Sequence, residues 1–200
     1  MSRAAGGRGR RPGGPDTRGD ILSAARVSFA GKGFDRTTIR GVAGEAGVDP
    51  ALVHHYFGSK DDLFLAALEI PIDPRQLIPQ VFGPGLDGVG ERLARTFLGV
   101  WDQPSNRLAL VALVRTAFVA DEAADLLRDG MARLVLAAVV PLLEGERTEV
   151  RAQLVASQLM GLIMGRYVMR IEPLASLPAE ELVAWLAPTL QRYLTGELPG

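Results

Sequence analysis

The chain has 200 residues, 48% hydrophobic and 22% charged, and its 22 Lys and Arg against 23 Asp and Glu leave a net charge of −1. It has no cysteine, which excludes disulfides, thiolate nucleophiles and sulfur ligands for zinc. The longest uncharged apolar run, Ala152–Gly165, has 14 residues where a bilayer span needs roughly 20.

No apolar stretch follows the arginines near the N-terminus, so a secretory signal is not expected and the protein reads as cytoplasmic. The near-zero total charge hides a split. Residues 1–60 hold ten Lys or Arg against five Asp or Glu (+5), which leaves twelve against eighteen (−6) for residues 61–200. A basic part that meets a polyanion, joined to an acidic part that does not, fits this division.

Taken in chain order, residues 1–15 carry five glycines, two prolines and four arginines (Arg3, Arg8, Arg10, Arg11) and form a disordered basic arm. From residue 16 the pattern turns helical. Ile21, Leu22, Ala25 and Phe29 repeat at helical spacing until Gly31 and Gly33 stop the run. Thr37 and Thr38 are good N-cap residues for a second helix with Ile39, Val42, Ala43 and Ala46 on one face, ended by Gly47. Asp49 caps a third helix, with Pro50 at its first position and Leu52, Val53 and Phe57 facing inward. Gly58 ends it, Ser59 caps again, and Asp61 and Asp62 lie near the positive end of a fourth helix. Two short helices around a tight glycine turn, with another before them, make a helix-turn-helix over residues 16–70.

Four prolines between Pro71 and Gly88 predict a linker with at most one short helix. Helical patterns then run over 89–102, 105–119, 121–143, 148–171 and 179–195, without a convincing strand, so residues 71–200 should form a helical bundle. The fold class is therefore all-α.

His54 and His55, the only histidines, stand beside Tyr56 and Phe57. Adjacent helical residues point about 100° apart, and no cysteine or third histidine is present to complete a metal site. Ser59 and Asp61 lie nearby but lack the context of a nucleophile turn. A plain surface face is the bland alternative. A reading face explains more: Pro50, Ala51, His54 and His55 fall opposite the buried stripe, where base edges come within reach. Tyr56 and Lys60 extend toward the flanking phosphates.

The stretch from about Asp20 to Leu68 resembles the N-terminal domain of the TetR family of bacterial transcriptional regulators. The resemblance is carried by "TTIRGVAGEAGV" and by "LVHHYFGSKDDLF", which is similar to the family's aromatic-rich pattern ending in Ser-Lys. His54 stands where members often have tyrosine, and Asp49 replaces the commoner serine cap. The resemblance implies a homeodomain-like reader of double-stranded DNA, in which Thr38 and Arg40 on the second helix also contact phosphate or base. It further implies a homodimer through the last two helices and a C-terminal domain that binds a ligand. The function so implied is a ligand-released repressor at a palindromic operator, the alternative being a constitutive or activating regulator without an effector.

In the C-terminal part, Leu182, Leu186, Leu190 and Leu194 form a stripe interrupted by Pro188, and Gly161 and Gly165 offer a close helix approach. Phe97, Trp101, Arg115, Phe118, Met131, Met160, Met164 and Tyr167 are the candidate lining of a pocket for a small apolar effector, with plain core as the alternative for most of them. This part holds no histidine, cysteine or compact catalytic motif, so neither an enzyme nor a cofactor is expected. The arm lacks the apolar side chains that would anchor it to a membrane surface.

Overall fold

The computed structural model describes residues 16–119, 130–131 and 133–197, the side chains of 116–119 excepted. Among these residues every regular element is helical. The basic arm expected over 1–15, and much of the helix expected over 121–143, fall outside them.

The N-terminal unit consists of α1 (Thr17–Arg36), α2 (Ile39–Ala46), α3 (Pro50–Phe57) and α4 (Lys60–Ala67). The carboxylate of Asp16 accepts from the Gly19 amide at 3.0 Å and starts α1. Helical geometry breaks at Gly33, whose φ of 76° and ψ of 170° few other residues adopt. Gly31 does not interrupt the helix, and the chain continues helically to Arg36.

Both threonines after the break read as caps in the sequence, but they divide the work. Thr38 caps α2, accepting from the Gly41 amide at 3.0 Å. Thr37 is 1% exposed, and its hydroxyl faces the carbonyls of Ser28 (3.0 Å) and Gly33 (2.8 Å), holding the end of α1 against the start of α2. The rings of Phe29, Phe34 and Phe64 form the centre of this unit, with Phe64 edge-on to both others at 5.2 and 5.0 Å. Ile21, Val42, Val53 and Leu63 are fully buried around them; each such burial contributes about 1.5–3 kcal/mol. Leu52, expected inward, is only half-buried.

The proline-rich stretch holds a 3-10 turn (Pro74–Gln76) and α5 (Ile78–Phe82), the single short α-helix its prolines permit. Beyond it lie α6 (Val89–Asp102), α7 (Pro104–Val119), α8 (residues 133–139, with 130 and 131 also helical), α9 (Thr148–Leu162) and α10 (Ala179–Thr195). The leucine stripe of α10 is buried as its spacing predicts. It packs on α6, and Gly90 makes this approach possible: a Cβ there would stand 2.4 Å from the Ala187 carbonyl oxygen. Gln191 fixes the contact by accepting from the Gly90 amide and donating to the Leu86 carbonyl, both at 2.9 Å. Arg151, 7% exposed, donates to the carbonyls of Glu146, Tyr193 and Gly196 and ties the end of α10 to the start of α9.

The helix expected over 148–171 departs from its pattern. After Leu162 it continues as a π-helical segment, Ile163–Val168, and then ends. The two glycines there differ in what approaches them within this chain. A Cβ on Gly165 would meet Leu174 at 2.9 Å, within the same chain, whereas one on Gly161 would stand in open space.

Candidate nucleic-acid interface

α3 owes its placement to local chemistry at both ends. Asp49 accepts from the Ala51 amide at 2.8 Å, and Pro50 supplies a first residue with no amide hydrogen to satisfy. Val53 and Phe57 fasten its inner face to the core, with Arg18 stacked 5.4 Å from the Phe57 ring centre. On the outer face Ala51, His54, His55 and Tyr56 are exposed and Pro50 is half-buried. The rings of His55 and Tyr56 meet edge to face at 5.6 Å.

At the far end, Gly58 adopts φ 76° and ψ −68°, and the Ser59 amide donates to the Phe57 carbonyl at 2.9 Å. These are the marks of a three-residue γ-turn, strained for residues with a side chain. The turn brings the Gly58 carbonyl 2.9 Å from Nδ1 of His54.

On α2, Thr38 and Arg40 are exposed, and among the described residues no hydrogen bond or ion pair engages the Arg40 guanidinium. Lys60 is less extended than its position in the sequence suggests. Its ammonium lies 4.4 Å from the Phe34 ring centre and donates to the Asp35 carbonyl at 3.2 Å. Burial lowers its pKa from the usual lysine value, partly opposed by Asp35 and Asp61.

Behind this face stands a clasp that sequence reading missed. The guanidinium of Arg75 pairs with Asp73 at 2.7 Å, with Asp61 at 3.5 Å and also with Asp62, so the linker is held to the first turn of α4. Asp62 additionally accepts from the Ser59 hydroxyl at 2.5 Å. The Ser59 hydroxyl first, then Arg75, hold the Asp62 carboxyl below the ordinary aspartate range, and Arg75 does the same to Asp73.

A second missed contact joins α8 to the reader. Arg133 pairs with Asp35, and the α-carbon of Gly130 lies against the Phe64 ring, where a Cβ would be 2.1 Å from it. Partners 98 and 66 positions apart in sequence, by subtraction of their numbers, leave no local signal.

The seven candidate pocket residues with described side chains are not gathered around one hollow. Phe97, Trp101 and Tyr167 form a continuous row of rings, with centres 5.9 and 5.1 Å apart. The Tyr167 hydroxyl donates to Asp102 at 3.0 Å, and burial foremost raises its pKa. Met164 packs on this core, and Arg115, itself exposed, reaches the Val168 carbonyl at 3.4 Å. Met131, in contrast, packs on the reader's core, and Met160 is 44% exposed on the outer side of α9. The side chain of Phe118 lies outside the described residues. A groove of about 570 Å³ opens elsewhere, between α5, the turn after it and Leu142.

Among the described residues no helix is long and apolar enough to cross a membrane.

Known proteins similar to this chain share both units. Residues 21–67 match the family described as bacterial regulatory proteins, tetR family, and residues 87–194 match the tetracyclin repressor-like C-terminal domain. The transcriptional regulator BetI of Brucella anthropi is 44% identical over 54 residues, 27% of this chain and 28% of that protein. HbdR of an Aromatoleum species is 34% identical over 87 residues, covering 43% of this chain and 36% of that one. The match thus spans well under half the length of either curated relative. Likeness over the whole chain comes from the crystal structure of a TetR-family regulator of Streptomyces coelicolor. It is 42% identical, with a TM-score of 0.54, and the match covers 94% of this chain and 99% of that one. With its reader unit and its helical C-terminal unit both matched, the chain belongs to the tetR family of bacterial regulatory proteins, which are DNA-binding transcriptional regulators and not enzymes.

Proposed function

We propose that this protein is a cytoplasmic repressor that binds a palindromic operator as a homodimer and leaves it when a small apolar effector binds. The observation that carries the DNA half is the outer face of α3. Its residues Pro50, Ala51, His54 and His55 stand on a helix short enough for a major groove and rigidly capped at both ends. In this reading Thr38 and Arg40 contact phosphate or base, Tyr56 and Lys60 engage the flanking phosphates, and Lys60 exchanges its contacts with Phe34 and Asp35 for a phosphate.

Dimerisation is supported by an unpartnered apolar face on α9 and α10. Val150, Leu154 and Met160 are 48, 42 and 44% exposed, and Trp185, on the neighbouring helix, is 72% exposed. Self-association across a two-fold axis buries such a face in both subunits at once. Two α3 helices related by that axis then read two halves of an inverted repeat.

Effector release is supported by the half-buried Phe97 and Met164 at the edge of the aromatic row, and by the contacts of Gly130 and Arg133 that run from α8 to the reader. A ligand that wedges into that row shifts α8 and with it the spacing of the two α3 helices. By linkage, operator DNA weakens the ligand by the same factor as the ligand weakens DNA. A constitutive regulator is the second reading, favoured by the direct stacking of Trp101 on Tyr167, which leaves no gap between those rings. The experiment that decides is a thermal-shift screen of apolar small molecules followed by operator release. A compound that stabilises the protein and releases DNA establishes the first reading, and a screen without one leaves the second.

A further inference from the structure

We infer that His54 reads the exocyclic amino group of an adenine or cytosine, because the backbone of this chain fixes which of its ring nitrogens carries the proton. The inference rests on the DNA-reading role proposed for α3. Nδ1 of His54 lies 2.9 Å from the Gly58 carbonyl oxygen. A carbonyl oxygen only accepts, so Nδ1 must donate, and the neutral ring then carries its lone pair on Nε2. That carbonyl is held in place by more than the imidazole. The γ-turn at Gly58 is closed by the Ser59 amide on the Phe57 carbonyl, and the Gly58 amide donates back to the His54 carbonyl at 2.8 Å. Among the described residues no protein group engages Nε2, and His54 is exposed on the same face as Pro50 and Ala51.

The chemistry of the major groove turns this into a choice of base. Each base pair presents one amino donor there, N6 of adenine or N4 of cytosine, while guanine and thymine present acceptors at O6, N7 and O4. An acceptor at Nε2 therefore selects A or C over G or T on the strand it faces. It discriminates amino from keto bases, and in doing so sets which strand carries which base. Tyrosine, which the family often has at this position, carries a hydroxyl that both donates and accepts. His54 offers a narrower reading.

The test couples protein and DNA changes. Selection from a random duplex pool with the wild-type full chain and with His54→Ala identifies the operator position whose preference depends on His54; wild type should show A or C there. That base is then replaced by its analogue lacking the amino group, purine for adenine or 2-pyrimidinone for cytosine. Wild type should lose about tenfold in affinity beyond any loss shown by His54→Ala, whose response reports the altered base pairing alone. His54→Arg, which only donates, should move the preference at that position toward guanine. A wild-type preference for G or T, or equal losses for wild type and His54→Ala, would overturn the inference. Failure to select any duplex sequence would instead remove the DNA-reading role on which it rests.

Discussion

Thr37 and Thr38 show how much a single side chain decides at this scale. Both are β-branched hydroxyl residues before a helix, and sequence alone gives them the same role. The fold separates them because Gly33 turns the end of α1 so that two carbonyls converge on Thr37, while Thr38 is left at the surface to cap α2. Replacing Thr37 with valine keeps the shape and removes the hydroxyl from a fully enclosed site. The expected loss is about 1–3 kcal/mol of stability, read by urea denaturation, with little change in the exposed face of α3. A loss below a few tenths of that range would show that water reaches those carbonyls. The outer-face residues of α3 were legible in advance, since Pro50, Ala51, His54 and His55 fall opposite Val53 and Phe57 at helical spacing. The fold back of Lys60 onto Phe34 was not, because it depends on where α1 ends in space.

At the scale of elements, caps and periodicity carried most of the information. The bounds of α2, α3, α4 and α10 follow from Thr38, Asp49, Ser59 and the leucine stripe. The π-helical segment at Ile163–Val168 was hidden, since its sequence reads as a plain continuation of α9 and the change depends on tertiary packing. The Arg75 clasp was hidden for a different reason. Charged residues in a proline-rich linker read as solvated, and only folding brings Asp61, Asp62 and Asp73 to one guanidinium. It has a pH signature. Asp62 and Asp73 have depressed carboxyl pKa values in the folded protein. Their contribution is therefore complete well above the ordinary aspartate value of about 3.9 and is lost as pH falls below it through the folded values. The difference in melting temperature between wild type and Arg75→Gln should be constant above about pH 5 and shrink steadily below about pH 4. A difference that stays flat through that range would mean the clasp contributes nothing through these two carboxylates.

For the molecule as a whole, the all-helical pattern anticipated a helical reader joined to a helical bundle, whereas the positive half of the charge split belongs to residues 1–15, since residues 16–70 hold six Lys or Arg against eight Asp or Glu. The contacts between the two units were beyond sequence reading, because Arg133 and Gly130 meet Asp35 and Phe64 only in the folded chain. The apolar side chains left outside on α9 and α10 give the assembly its test. Trp185→Glu puts a charge among the exposed apolar side chains without touching the core, since the residue is 72% exposed. The variant should remain folded by circular dichroism but sediment as a monomer, and its operator affinity should fall at least a hundredfold at micromolar protein or below, because one half-site alone holds each reader. A variant that stays dimeric would move the interface elsewhere. The central claim, a two-fold reader of duplex DNA, is tested most directly by selecting bound sequences from a random duplex pool and titrating the winner against salt. A two-fold reader should select an inverted repeat, and log affinity should fall against log salt with a slope of about −5 to −7, from roughly three to four phosphate contacts per subunit. Equal binding to every duplex, or selection of a single unrepeated site by a monomer, would contradict it.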